Sequence, residues 1–159
     1  MATKDAFSGA KTAMMLFDAY TNTVAQEIGM ERAAGLMTKM CENMGAMQGK
    51  MMKEQAGIKE FDAKAAWSLL RTTPENLGLS FKVVEESPKR VLVKVGKCSV
   101  YEAAHTLGMD AKTIEAMCHA SSERFMDTLA KQLNPSLSFR IKKFRSASDD
   151  FCEEEVILG

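Results

Sequence analysis

Phe81-Lys82-Val83-Val84-Glu85-Glu86-Ser87-Pro88-Lys89-Arg90-Val91-Leu92-Val93-Lys94-Val95-Gly96-Lys97-Cys98 is where the hydrophobic period of the chain changes. Phe81 and Val83, then Val91, Val93 and Val95 after the Ser87-Pro88 turn, alternate with mostly polar neighbours. Alternation with period two puts one set of side chains on one face of a pleated sheet, so the stretch predicts a β-hairpin with one buried face. Gly96 ends it.

Upstream of the hairpin the period is helical. Ala13, Leu16 with Phe17, Tyr20, Val24 and Ile28 recur at three- and four-residue spacing, which predicts a first helix over about residues 5–28 with that apolar face, stopped by Gly29. A second helix is expected over about 30–55. Its apolar positions Met30, Ala33, Met37, Met40, Met44, Met47 and Met51 step by 3, 4, 3, 4, 3 and 4, a heptad seam. Gly45 and Gly49 lie four apart on one face of that helix and leave room for a close neighbour. A third helix, about 58–72, carries Trp67, followed by a loop at 74–78.

Downstream, Ser99-Val100-Tyr101-Glu102 reads as a capping box that starts a short helix just after Cys98 and ends at Gly108. Asp110 caps a longer helix reaching Gln132, stopped by Asn134-Pro135. Leu137, Phe139 and Ile141 form one strand, residues 146–150 a turn, and Cys152, Glu154, Val156 and Leu158 one face of the last strand. Basic residues on the first of these strands face acidic ones on the second, which predicts a charge ladder across them. The expected order is ααα-ββ-αα-ββ: an α+β fold in which two hairpins make one antiparallel sheet with helices packed on it. One domain is expected over 1–159, with a methionine-rich helical arm over 1–56 and an α+β core over 57–159.

Composition narrows the function. The 159 residues carry 21 Lys+Arg and 21 Asp+Glu, and neither half is strongly charged, which argues against a nucleic-acid partner. The longest apolar run, Ala13 to Phe17, is far short of the ~20 residues that span a bilayer, so no membrane partner and a cytoplasmic location are expected. The four cysteines, Cys41, Cys98, Cys118 and Cys152, include no CxxC pair and are expected as thiols.

Chemistry is expected in four places. Cys98 sits before a helix N-terminus, where backbone N–H groups lower a thiol pKa and favour a thiolate or a metal ligand. Cys98, Cys118 and Cys152 together are the candidate metal set, for a divalent ion such as zinc; the plainer reading of a free cysteine is core packing. Tyr101 and His105 are four apart on one helix face and, with Trp67, are candidate ligand contacts. Glu154 shares a strand face with Cys152, making it the one carboxylate of its acidic run expected to point inward. The methionine seam reads as core, as a groove for an apolar ligand, as a partner surface, or as a homodimer interface running from Met30 to Met51.

Several short stretches resemble the L-2-amino-thiazoline-4-carboxylic acid hydrolase family, which is itself similar to the small-molecule-binding domains named after 4-vinyl reductase. They are Val95-Gly96-Lys97-Cys98-Ser99-Val100-Tyr101-Glu102-Ala103, Ala116-Met117-Cys118-His119, Leu133-Asn134-Pro135 and Phe151-Cys152-Glu153-Glu154-Glu155. The resemblance covers roughly residues 60–158, with the first 55 matching only as helices. It implies hydrolytic opening of a thiazoline ring to an N-carbamoyl cysteine, with Cys98 or a bound metal activating the attack and His119 or Glu154 moving protons. Its vinyl-reductase side implies instead a small apolar ligand held between helices and sheet, without catalysis and with the cysteines as metal ligands.

Overall fold

In the computed structural model, which describes residues 2–159, the chain is an α+β fold: a four-stranded antiparallel sheet covered by helices on one face. Helix α1 spans Ala2–Ile28 and α2 spans Met30–Ala56, followed by α3 (Ala63–Leu70) and α4 (Thr72–Asn76). Strands β1 (Phe81–Glu86) and β2 (Arg90–Val95) form the first hairpin, followed by α5 (Ser99–Thr106). Helices α6 (Ala111–Cys118) and α7 (Arg124–Leu133) are joined without a break by a π-helical turn, His119–Glu123. Strands β3 (Leu137–Lys143) and β4 (Cys152–Leu158) complete the sheet in the order β1-β2-β4-β3.

The predicted hairpins are present, but β1 does not bury a face. It is an edge strand with a register shift between Val83 and Glu85, and both Val83 and Val84 are exposed. The core face comes from the inner strands, where Val91 pairs with Val156, Val93 with Glu154 and Val95 with Cys152. On the outer face Glu155 is 1% exposed and accepts ion pairs from Arg90 on one side and Arg140 on the other. Lys94 and Lys142 flank Glu153, so the charge ladder forms. The other edge, β3, is blunted by the helix above it: Glu123 accepts the Ile141 N–H at 2.7 Å and Asp127 the Phe139 N–H at 3.0 Å.

Three local expectations change. Asp62 accepts the Ala65 N–H, so α3 begins at Ala63 and not near residue 58. Residues 72–76 coil into α4, so 74–76 are helical where a loop was expected. Ser99 is not the cap of α5: Cys98 is, its sulfur accepting the Tyr101 N–H, while the Ser99 hydroxyl donates to the Leu77 carbonyl.

The larger correction concerns the helical faces. In α2 the buried line is Ala33, Met37, Cys41, Gly45 and Gly49, a straight four-residue spacing. Met30, Met40, Met44, Met47 and Met51 of the heptad seam are each 44–54% exposed, so that seam does not pack as core. The reason is steric. A Cβ at Gly45 would lie 2.5 Å from the Phe125 carbonyl oxygen, and one at Gly49 2.8 Å from that of Leu129. Two missing side chains therefore let α2 lie directly on the α7 backbone, and that contact fixes which way α2 is turned. In α1 Leu16 and Tyr20 point outward, whereas Asp18 and Thr21 are buried. Gly78, at φ 72°, brings its backbone against Phe7 and seats the start of α1.

The glycine contact gives a paired prediction. Gly45→Ala should destabilise the fold by about 1–3 kcal/mol through overpacking. Gly35→Ala, where a Cβ meets nothing within 4 Å, should stabilise it by up to about 1 kcal/mol through helix propensity. Urea denaturation of both variants should show the opposite signs.

Candidate functional site

The sheet's upper core face, α1, α2 and the α6–α7 helix line a half-open cavity of about 540 Å³. All four cysteines line it: Cys41 from α2, Cys98 from the β2–α5 junction, Cys118 from α6 and Cys152 from β4. Its walls are otherwise mostly apolar, with Phe17, Met44, Ile114, Phe125, Phe139 and Phe144 among them. The polar contributions include Asp18, Gln48, Thr73, Asn76, Ser121 and Glu154.

The π turn shapes one wall. A π turn inserts an extra residue into a helix and loosens the regular carbonyl-to-amide ladder. Thr38 of α2 reaches across and donates to the Ala120 carbonyl at 2.8 Å, and the Ser121 hydroxyl donates to that of Met117. Ser121 and Ser122 thus face the cavity on a segment that α2 also holds.

Arg145, in the β3–β4 connection, is 1% exposed. Its Nη2 donates to the Val95 and Gly96 carbonyls, its Nε points at the Cys152 sulfur 3.4 Å away, and its guanidinium stacks over Tyr101. The cation locks the end of β2 to the start of β4 and acts electrostatically on Cys98 and Glu154.

Burial dominates the ionisation of the cavity groups. It pushes the Cys98 thiol up to about 11, outweighing the helix N-terminus and Arg145, which pull it down. The balance thus favours the thiol form of Cys98 over the thiolate expected from its cap position. Burial, with Cys98 and Cys152 close by, raises Cys118 well above the ordinary thiol range. The Glu154 carboxyl is lifted by burial to about 7, against the opposing pull of Arg145 and with Glu123 adding to the rise. Asp18 is raised by burial to about 6.

Of the residues singled out in the sequence, Cys98, Cys118, Cys152, Glu154 and Tyr101 share this cavity. His119, on the π turn, is not among its lining; it is 41% exposed at the side chain and pairs with Glu123 at 3.1 Å. His105 is exposed and stacks on Tyr101, with ring centroids 5.9 Å apart. Trp67 sits in the main core below, edge-on to Phe81. The three cysteines converge on one space, yet among the described residues no set of three or more His, Cys, Asp or Glu side chains is arranged to hold a metal ion. Asp18 and Arg145 escaped the sequence reading. Asp18 interrupts an apolar run without a basic residue three or four positions away, which was its one available signal.

A sheet-and-helix fold that holds a cavity of this kind defines a structural class before it defines an activity. The L-2-amino-thiazoline-4-carboxylic acid hydrolase family model matches residues 9–154, and the chain belongs to that family. The match takes in both N-terminal helices, which the sequence motifs had left outside the resemblance. The fold is also shared with a sensory domain of known structure. The crystal structure of the phenol-responsive sensory domain of the transcription activator PoxR with phenol superposes with a TM-score of 0.64 at 11% identity, covering 91% of this chain and 74% of that one. No curated protein matches the chain. Among the described residues no helix is long and apolar enough to cross a membrane.

The raised carboxyls make a prediction about pH. A carboxyl whose folded pKa lies above its unfolded value contributes stability while protonated and loses it as pH rises through the folded pKa. For Glu154 that window runs from about 4.5 to about 7 and for Asp18 from 3.8 to about 6. Glu155, Asp110 and Asp150 are held low and act in the opposite sense, losing their contribution on acidification. Stability measured by denaturation should therefore fall between pH 5 and pH 7, and Glu154→Gln should flatten that fall.

Proposed function

We propose that this protein is a small-molecule-binding module whose ligand occupies the cavity between the helices and the sheet. One observation carries the reading: a cavity of about 540 Å³ with apolar and aromatic walls and a few inward polar groups. That is the usual size and chemistry of a pocket for a small organic ligand. The groove expected at the methionine seam fits here in part, since Met40 and Met44 belong to the cavity wall. The PoxR domain offers an analogy for such a ligand, since that protein responds to phenol.

The test is direct. A small aromatic compound at about 100 times its Kd should raise unfolding stability by about 2.7 kcal/mol. Ser121→Phe, which places a ring in the cavity from the π turn, should abolish the effect without unfolding the protein. Thermal shift across a panel of small aromatic compounds reads both. A panel with no shift, or a shift unchanged in the variant, would overturn the binding reading.

Family membership and Glu154 favour a second reading, a thiazoline-type hydrolase. A carboxyl with a pKa near neutrality is poised for proton transfer. In this scheme water adds across the amidine-like C=N bond, one proton going to the ring nitrogen; the bond from that carbon to sulfur then breaks as the new hydroxyl becomes the carbonyl, Glu154 giving its proton to the leaving sulfur and recovering one from that hydroxyl. Cys98 would serve as packing and not as nucleophile, because its thiol stays protonated. Incubation with L-2-amino-thiazoline-4-carboxylate should then release thiol with turnover, and Glu154→Gln should lower the rate by about 100-fold or more. Thiol release no faster than in buffer would rule this reading out.

A further inference from the structure

The cavity carries an electrostatic signature that its volume alone does not reveal. Among the described residues its only charged lining side chains are Asp18 and Glu154, both acidic. The nearby cation, Arg145, does not line it; its Nη2 is held by two backbone carbonyls and its plane by the Tyr101 ring, while its buried Nη1 has no partner. Asp18 is 3% exposed, and its Oδ2 has no hydrogen-bond partner. The helix offers it no cation: Met14, Met15, Thr21 and Asn22 stand three and four positions away, and neither the Thr21 hydroxyl nor the Asn22 amide reaches Oδ2. A buried carboxylate without a partner is costly, and a protein keeps such a group where something outside the chain completes it.

We propose that Asp18 anchors the cationic nitrogen of a hydrophobic amine, so that the ligand of this cavity is a small organic cation. This rests on the cavity being a ligand site and names the class of ligand it takes. The amine would donate to Oδ2 and restore the carboxylate's missing partner, forming a charge-assisted hydrogen bond among mostly apolar walls. Its apolar body would lie among the methionines and rings, and Phe17, next to Asp18 in sequence, offers an aromatic face of the kind that attracts cations. Burial raises the Asp18 carboxyl to about 6, so it is mostly ionised at neutral pH and a bound cation would favour its charged form further. Anions meet the reverse situation. The carboxylate of an amino-thiazoline carboxylic acid would face two acidic groups and no lining cation.

Three probes of one shape separate the possibilities: 2-phenylethylamine, 2-phenylethanol and phenylacetate, titrated calorimetrically into the full chain at neutral pH. The amine should bind about ten-fold or more tighter than the alcohol, and phenylacetate weaker than either. Asp18→Asn should cut amine affinity by about ten-fold or more and leave the alcohol within about two-fold. The same variant should raise the melting temperature of the unliganded protein, because it removes an unpartnered buried charge. Equal affinity for amine and alcohol, tighter phenylacetate binding, or an amine affinity unmoved by Asp18→Asn would each overturn the anchor. The comparison among probes in the unaltered protein needs no variant, so poor folding of Asp18→Asn would not rescue the idea. Saturable alcohol binding without an amine preference would remove the anchor and keep the ligand cavity; no binding by any probe would count against both.

Discussion

Everything above the sheet depends on how closely α2 can approach α7. Helices carrying ordinary side chains pack with axes about 8–10 Å apart. Here Gly45 and Gly49 remove the side chains at the contact, and α2 meets the carbonyls of Phe125 and Leu129 directly. That approach selects the small-residue line of α2 as its inner face and turns the methionines outward. It also lets Thr38 reach the Ala120 carbonyl, so the same contact supports the π turn that forms a cavity wall. Packing on one side of α2 and cavity shape further along it are consequences of one steric choice.

Below that level the molecule separates its polar work by location. The outer face of the sheet carries Glu155 between two arginines, where each charge has a partner. At one end of the sheet, Arg145 is buried against carbonyls, sulfur and a ring, a cation satisfied mainly by the backbone. Inside the cavity the balance is different, with two raised carboxyls and protonated thiols. Among the described residues three buried side-chain atoms lack a partner, Asp18 Oδ2, Trp67 Nε1 and Arg145 Nη1, and of these only Asp18 belongs to the cavity wall.

The α+β class and both hairpins were legible because alternation and helix-stop signals are local. Glu154 and Cys152 followed from strand parity alone. The helical faces were harder to read. A heptad of methionines is a strong periodic signal, but hydrophobicity scores say nothing about how near a neighbouring backbone can come. The decisive residues were the glycines between the methionines, whose role depends on carbonyls some 80 positions away in sequence. Asp18 was invisible for a related reason: a helical wheel treats an acidic residue as a marker of the wet face. The thiolate expected at Cys98 came from its cap position, which the structure keeps. What sequence could not supply was the depth of burial that outweighs the cap.

The π turn makes the helix from residue 111 to residue 133 serve two surroundings with different phase requirements. Before the turn, Ile114 and Cys118 must look into the cavity; after it, Leu129 and Leu133 must look into the main core while the backbone meets the glycines of α2. One residue more or less turns an α-helix by about 100°. The segment is therefore intolerant of length change in a way that ordinary helix is not. Deleting one residue between 119 and 123 would regularise the hydrogen bonding and at the same time set the two ends of the helix out of step with their partners. Over evolutionary time, such a helix is free to change its letters more readily than its count.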